Sequence, residues 1–163
     1  MTNDLNNIWN LWFHYTKDDW TIDGYKNIYT ISSVADFWKL YNNWDDLGGI
    51  TYKQFFLMKN DVKPIWEDET NRNGGCWSFK IDEINSSELW EELSILLVSE
   101  ELLNDNNTEN EIVGLSICLK KNNFCVIKIW NNNSKLNSIK LLNNNILKKW
   151  GLDLIYIANV PNE

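Results

Sequence analysis

Hydrophobic residues recur along this chain with two periods. Segment 8–16, IWNLWFHYT, is rich in aromatic and apolar residues and reads as a strand, as does IYTISS at 28–33. Ser33 followed three residues later by Asp36 has capping-box spacing. Val34, Phe37, Trp38 and Tyr41 then fall at helical offsets, which predicts a helix over 34–43. Gly48 and Gly49 mark a break, and QFFLMK at 54–59 is a strand. GGCWSFKI at 74–81 is another, with Trp77, Phe79 and Ile81 on one face. SSELWEELSILLVSEEL at 86–102 predicts a second helix that turns Leu89, Leu93, Leu96 and Leu97 inward. EIVGLSICLKKNNFCVIKIW at 111–130 reads as two strands about a KKNN turn. A third helix is expected over 138–150, closed by Gly151 in the C′ position, and DLIYIANV at 153–160 is a last strand. Strands and helices in mixed order, with one hairpin-joined pair, point to an α+β fold: one antiparallel sheet with helices on one face. No repeat or long linker interrupts the pattern, so residues 1–163 are expected to form a single domain with a short lead at 1–7.

Composition narrows the possible chemistry. With 15 basic and 23 acidic residues the net charge is −8, a field that repels polyanions, so any nucleic-acid contact must be local. Cys76, Cys118 and Cys125 are an odd number without C-x-x-C spacing; Cys118 and Cys125 can approach each other across the hairpin, but a reduced chain is the better reading. No apolar run of about 18 residues spans a membrane. The start, MTNDLNNIW, lacks a basic and an apolar region, so no signal peptide is expected and the chain reads as cytoplasmic, or nuclear and cytoplasmic. Asparagine occurs 26 times and alanine twice, a bias that AT-rich coding produces. That bias does not enrich tryptophan, which occurs 10 times and needs a physical reason.

The stretch KPIWEDETNRNGGCW, 63–77, puts Trp66 directly before Glu67, Asp68 and Glu69. Most of the ten indoles belong in the core. An indole on the open face of a sheet, or on its rim, is costly to leave in water, and a flat ligand justifies it. A carboxylate beside that indole can accept two parallel N–H bonds from guanine N1 and N2, which adenine cannot supply. Glu69 reads as solvated, whereas Asp68 is placed to cap or brace the loop. His14, the single histidine, reads either as a ribose contact or as a plain strand position. Enzyme chemistry finds little support. No P-loop, H-E-x-x-H, G-x-S-x-G or G-x-G-x-x-G motif is present, one histidine leaves little room for a triad or zinc site, and no cofactor is implied.

Taken together, WNLWFHYTKDDW, VADFWKLYNNW, KPIWEDETNRNGGCW and IKIW occur in the order and spacing of the eukaryotic translation initiation factor 4E family, which the chain resembles over nearly its whole length. The resemblance implies a curved antiparallel sheet of about eight strands, three helices on its convex face, and a concave-side slot for the 7-methylguanosine cap of messenger RNA. Trp20 and Trp66 would sandwich the methylated guanine, Glu67 would accept from N1 and N2, and Trp130 would touch the N7-methyl group. Phosphates would be held by basic residues of the 115–130 hairpin. Val34 and Trp38 match the dorsal surface where a 4G-type scaffold or a 4E-binding protein docks through a short helix, and Ile95 and Glu92 lie in the matching stretch of the second helix. The family's role implies a monomer that recruits capped mRNA to translation initiation. The alternative is a repressor that sequesters caps without joining a scaffold.

The chain departs from the family pattern at several positions. Lys120 takes the place of a phosphate-binding arginine, with Lys121 its neighbour should the register slip by one. Val126 stands where a lysine is usual, and Lys128, two residues on, shares its strand face. Lysine lacks the bidentate geometry of arginine, so weaker or shifted phosphate binding is expected. Glu91 replaces a partner-contacting leucine, which disfavours the usual partner helix unless that partner supplies a basic residue. The family's C-terminal cap-side loop with its regulatory serine, and its long N-terminal extension, are expected to be absent.

Overall fold

The computed structural model describes residues 4–15, 18–44, 54–104 and 111–159. Gly48, Gly49, Thr16 and Val160, which the sequence reading assigns to a break and to strand ends, lie outside them. Seven strands are present among the described residues: β1 (Asp4–His14), β2 (Tyr25–Ser33), β3 (Gln54–Lys59), β4 (Gly75–Asp82), β5 (Ile112–Lys120), β6 (Phe124–Asn131) and β7 (Ile155–Ala158). They form one antiparallel, curved sheet in the order β2-β1-β3-β5-β6-β4-β7. The helices are α1 (Val34–Asn42), the single turn α2 (Glu69–Arg72), α3 (Glu83–Val98) and α4 (Asn144–Trp150).

Alternation along the strands makes two apolar layers. Trp9, Leu11, Leu57, Trp77, Phe79, Leu115, Ile127 and Ile129 face the helices and meet Phe37, Trp90, Leu93 and Leu97 from α1 and α3. Trp9, Trp77 and Trp90 are fully buried there. At roughly 25 cal/mol per Å² and 150–250 Å² per ring, each contributes about 4–6 kcal/mol of apolar burial, as an upper estimate. Tyr25, Phe56, Met58, Cys76, Val113 and Trp130 form a smaller cluster on the opposite, open face. Met58 of β3 lies opposite Gly114 of β5, where a Cβ would come within 2.5 Å of the Met58 sulfur, so glycine is what lets these strands approach.

Several boundaries differ from the sequence reading. β1 begins at Asp4, so the lead is shorter than 1–7: the polar run 4–7 enters the strand because Asn6 and Asn7 donate to the Glu100 carboxylate at 3.0 and 2.7 Å. β2 begins three residues early, at Tyr25. Ser33 caps α1 by accepting from Asp36 N at 3.1 Å, but the Asp36 carboxylate reaches back one residue further than a standard capping box, to Ser32 N and Oγ. α3 runs 83–98, not 86–102. It starts straight out of β4 and stops at Glu100, whose φ of 60° ends the helix without the glycine or asparagine that would signal it. The helix expected at 138–150 is broken into a 3-10 turn at Ile139–Leu141 and α4. Asn143 divides them: its side chain accepts from Asn145 N and Ile146 N, while its backbone N–H donates to Leu102 at 2.7 Å. Gly151, at φ 60°, closes α4 as expected, with Leu152 N donating to Leu147 O. The last strand is trimmed to 155–158.

Asn131, fully buried at the end of β6, ties the sheet edge together. Its Oδ1 accepts from Gly75 N at 3.2 Å and the Tyr156 hydroxyl at 2.6 Å, and its Nδ2 donates to the carbonyls of Asn133 and Leu136. Asn131→Ala should lower unfolding free energy by about 2–4 kcal/mol in denaturant melts, because it strands several buried partners at once. Amide exchange at 155–158 should accelerate more than at β1–β3.

Candidate functional site

A cleft of about 380 Å³ opens on the sheet face opposite the helices. It is lined by Trp20, Tyr25, Gln54, Phe56, Pro64, Ile65, Trp66, Glu67, Cys76, Lys128, Trp130 and Asn159. Trp20, Trp66, Glu67, Lys128 and Trp130, all singled out from sequence, therefore meet in one cleft. Lys120 does not line it; it is exposed at the end of β5, opposite Phe124 and two cross-strand rows beyond Lys128.

Rings make up much of the cleft's surface. Trp130 is nearly buried, with its Nε1 donating to Ser116 Oγ at 3.1 Å and its ring edge-on to Phe56. Phe56 meets Tyr25 at 5.3 Å, and Tyr25 meets His14 at 4.7 Å. His14 stacks on Trp20 with centroids 4.0 Å apart and planes 14° from parallel. Its Nε2 also lies 2.6 Å from the Asp19 carbonyl. His14 is thus mostly buried and backs the Trp20 ring, a role between the two that the sequence offered. Asp19 holds the turn by accepting from Thr21 N and Oγ1, and these bonds lower its carboxyl below the usual range. Trp20 nevertheless remains 56% exposed and Trp66 50%.

The Trp66 loop is braced from beneath. Asp68 caps α2 by accepting from Thr70 N at 2.9 Å, and its other oxygen accepts from Lys63 N at 3.0 Å. Asn71, fully buried, donates from Nδ2 to the carbonyls of Lys63 and Ile65, both at 2.8 Å. Val62 and Ile65 pack onto the open-face apolar cluster. The loop therefore presents Trp66 and Glu67 from a fixed frame. Glu67 is exposed and accepts no hydrogen bond from the described residues. Its charge reaches Tyr25, whose hydroxyl is pushed up to about 12, first by burial and then by Glu67 and Asp19. Burial also pushes the Cys76 thiol up to about 12, leaving a neutral, unreactive cleft wall. Cys118 and Cys125 are free, on opposite faces of the hairpin. No cluster of His, Cys, Asp or Glu able to hold a metal occurs among the described residues. No helix among them is long and apolar enough to cross a membrane.

A second surface lies behind the sheet. Tyr41 of α1 donates to Ser94 of α3 at 2.5 Å, joining the two helices. Trp38, one turn before Tyr41, stays 41% exposed, Val34 43%, and Ile95, next to Ser94, 36%. Glu92 turns instead to α4, where Lys149 Nζ and Trp150 Nε1 both donate to it. Glu91 lies toward α1: burial, with the Glu91 charge adding, raises the Tyr41 hydroxyl far above its ordinary range.

Sequence reasoning missed Tyr25, Phe56, Cys76 and Asn159 as cleft residues, and Asn71 as the brace. Strand alternation, once the register is known, identifies the first three; Asn71 carries no signal in a chain with 26 asparagines.

The chain is similar to known proteins in sequence and in fold. The family model described as "Eukaryotic initiation factor 4E" matches residues 4–157. The eukaryotic translation initiation factor 4E of Candida albicans is 33% identical over 156 residues, 88% of this chain and 71% of that protein. The chain spans about half to two thirds of the length of six other curated relatives that it matches. Ascaris suum eIF4E-3, solved in complex with an m2,2,7G cap, superposes with TM-score 0.81 at 25% identity, covering 100% of this chain and 94% of that one. Caenorhabditis elegans eIF4E-3, solved with the 4E-binding protein Mextli and a cap analog, gives TM-score 0.81 at 24% identity, covering 97% and 93%.

Asn71→Ala should cost about 1–3 kcal/mol of stability in chemical denaturation. Its larger signature should be faster amide hydrogen exchange over residues 63–71 than over the sheet, as the loop loses its frame.

Proposed function

The chain belongs to the eukaryotic initiation factor 4E family, and from that premise we propose that it binds the 7-methylguanosine cap of mRNA and passes the capped RNA to the initiation machinery through its dorsal helices. One observation carries this reading: two half-exposed indoles, Trp20 and Trp66, line the same cleft as Glu67, a carboxylate with no hydrogen-bond or ion-pair partner among the described residues. Methylation at N7 makes guanine a flat cation. Stacking a base on an aromatic ring is worth about 1–3 kcal/mol, and a cation over an indole face adds about 0.5–2 kcal/mol. Glu67 accepts from N1–H and N2–H, a charge-assisted pair that adenine cannot supply. Trp130, held by Ser116, closes the slot toward the methyl group. Lys128 offers the phosphates their nearest positive charge, and Lys120 one further along the same face. The protein works by binding, in the cytoplasm.

Recruitment is favoured over sequestration because Val34, Trp38 and Ile95 remain exposed behind the sheet. The Ascaris and C. elegans relatives named above were solved with caps, the latter also with a 4E-binding protein. Glu92 is occupied by α4, so Glu91 is the carboxylate that an incoming helix meets, and a partner with a basic residue there is preferred.

Isothermal titration with 7-methylguanosine triphosphate tests the slot. Glu67→Gln should weaken binding about 10- to 100-fold, and Trp66→Ala comparably, with the melting temperature little changed in either. Retained affinity in both variants would remove the cap-binding reading. A pull-down with a Y-x-x-x-x-L-apolar peptide carrying lysine or arginine opposite Glu91 should succeed, and Trp38→Ala should abolish it. Failure of every such peptide would leave the competitor reading.

A further inference from the structure

Strand register carries positive charge well beyond the slot. On the open face, successive cross-strand rows of β6 and β4 are Trp130 with Cys76, Lys128 with Ser78, Val126 with Lys80, and Phe124 with Asp82. β5 extends these rows with Ser116 beside Lys128 and Lys120 beside Phe124. Residues two apart on a strand are separated by about 6.6–6.8 Å, so Lys128, Lys80 and Lys120 step away from Trp130 one row at a time. Each row-to-row move also changes strand: Lys128 stands on β6, Lys80 beside it on β4 and Lys120 on the other side on β5, so the three lysines form a zigzag track centred on β6.

These charges are free. None of the three makes an ion pair among the described residues, whereas Lys59 and Lys149 do. Lys80 is exposed, and its Nζ rests 5.1 Å from the centre of the Phe124 ring. Across β3–β7 the register puts a single carboxylate on this face, Asp82, at the far end where β4 turns into α3. In a chain of net charge −8, lysines gathered on one face and left without carboxylate partners suit an anion that arrives along that face. Among the described residues Lys128 is the one lysine that lines the cleft with Trp20 and Trp66, so the phosphates of a ligand whose ring lies between those indoles meet a positive charge first at Lys128.

We propose that Lys80 is a phosphate-binding residue: with Lys128 before it and Lys120 after it, it holds the phosphate chain that leaves the guanine slot. This rests on the cap-binding reading and adds to it a ligand from β4, outside the β5–β6 hairpin. Lysine contacts of this kind are point charges on flexible stems, so they supply affinity for charge without fixing the geometry of any one phosphate. Phe124 holds the Lys80 stem over the track until the anion arrives.

The test compares 7-methylguanosine, its 5′-monophosphate and its 5′-triphosphate as ligands of the full chain, by fluorescence titration at fixed ionic strength. Lys80→Met keeps the apolar stem against Phe124 and removes the charge. It should leave nucleoside affinity unchanged and reduce the triphosphate-to-nucleoside affinity ratio by about two- to fivefold. Lys80→Glu should reduce that ratio further, and Lys39→Ala, on α1, should leave it as in the wild type. An unchanged ratio in both Lys80 variants overturns the proposal while leaving cap binding intact. Loss of nucleoside binding in Lys80→Met, with the fold retained by circular dichroism, also overturns it. A wild-type chain that binds none of the three ligands overturns both this proposal and the reading beneath it.

Discussion

An indole can stay in water only if something holds it there, and in this molecule buried amides do the holding. Asn71 spends its Nδ2 on two carbonyls of the loop that carries Trp66. Asn131 uses both ends of its amide to bind β4, β7 and the loop after β6. The two are linked, since Asn159 follows β7 and donates to the Asn71 carbonyl at 2.8 Å. Without this frame the exposed face of Trp66 would fold back onto the apolar cluster beneath it, because burial of an aromatic ring is worth several kcal/mol. The frame fixes the rings before any ligand arrives, and so reduces the ordering cost of binding.

Charge is distributed with the same economy. The chain as a whole repels polyanions, but Glu67 stands on the loop at the slot and Lys128, Lys80 and Lys120 stand on the strands that lead away from Trp130. Glu67 stands where a cationic base would lie, and Lys128, Lys80 and Lys120 where its phosphates would run. A carboxylate at the slot and lysines on the strands beyond it make the face selective for a ligand that is itself a dipole, positive at one end and negative along its tail. Local complementarity thereby overrides an unfavourable net charge at distances shorter than the Debye length of about 8–10 Å.

How much of this could be read from the sequence depends on which physical signal each feature leaves. Periodicity announced α1, β3, β4 and the β5–β6 hairpin, and the fold class followed from their order. Trp66-Glu67 announced the site because an indole beside carboxylates has no ordinary core explanation. Boundaries that rest on a single side chain were hidden: Asn143 splits the helix expected at 138–150, and Glu100 ends α3 in a backbone region where glycine or asparagine is usual. Asparagine was uninformative for a compositional reason, since a chain with 26 of them gives no cue that two are buried and structural. Lys80 was invisible for a different one: its position on the track exists only through the register of β4 on β6, which no local pattern encodes.

The central claim is that the slot reads a cationic guanine, and discrimination against the neutral base tests it most directly. Intrinsic tryptophan fluorescence should be titrated with 7-methylguanosine triphosphate and, in parallel, with unmethylated guanosine triphosphate, which carries the same phosphates. Saturable quenching by the methylated nucleotide, with affinity at least tenfold above that for the unmethylated one, is the predicted result. Equal quenching by both, or none by either, would contradict the account, because stacked indoles and Glu67 would then not be selecting the methylated base.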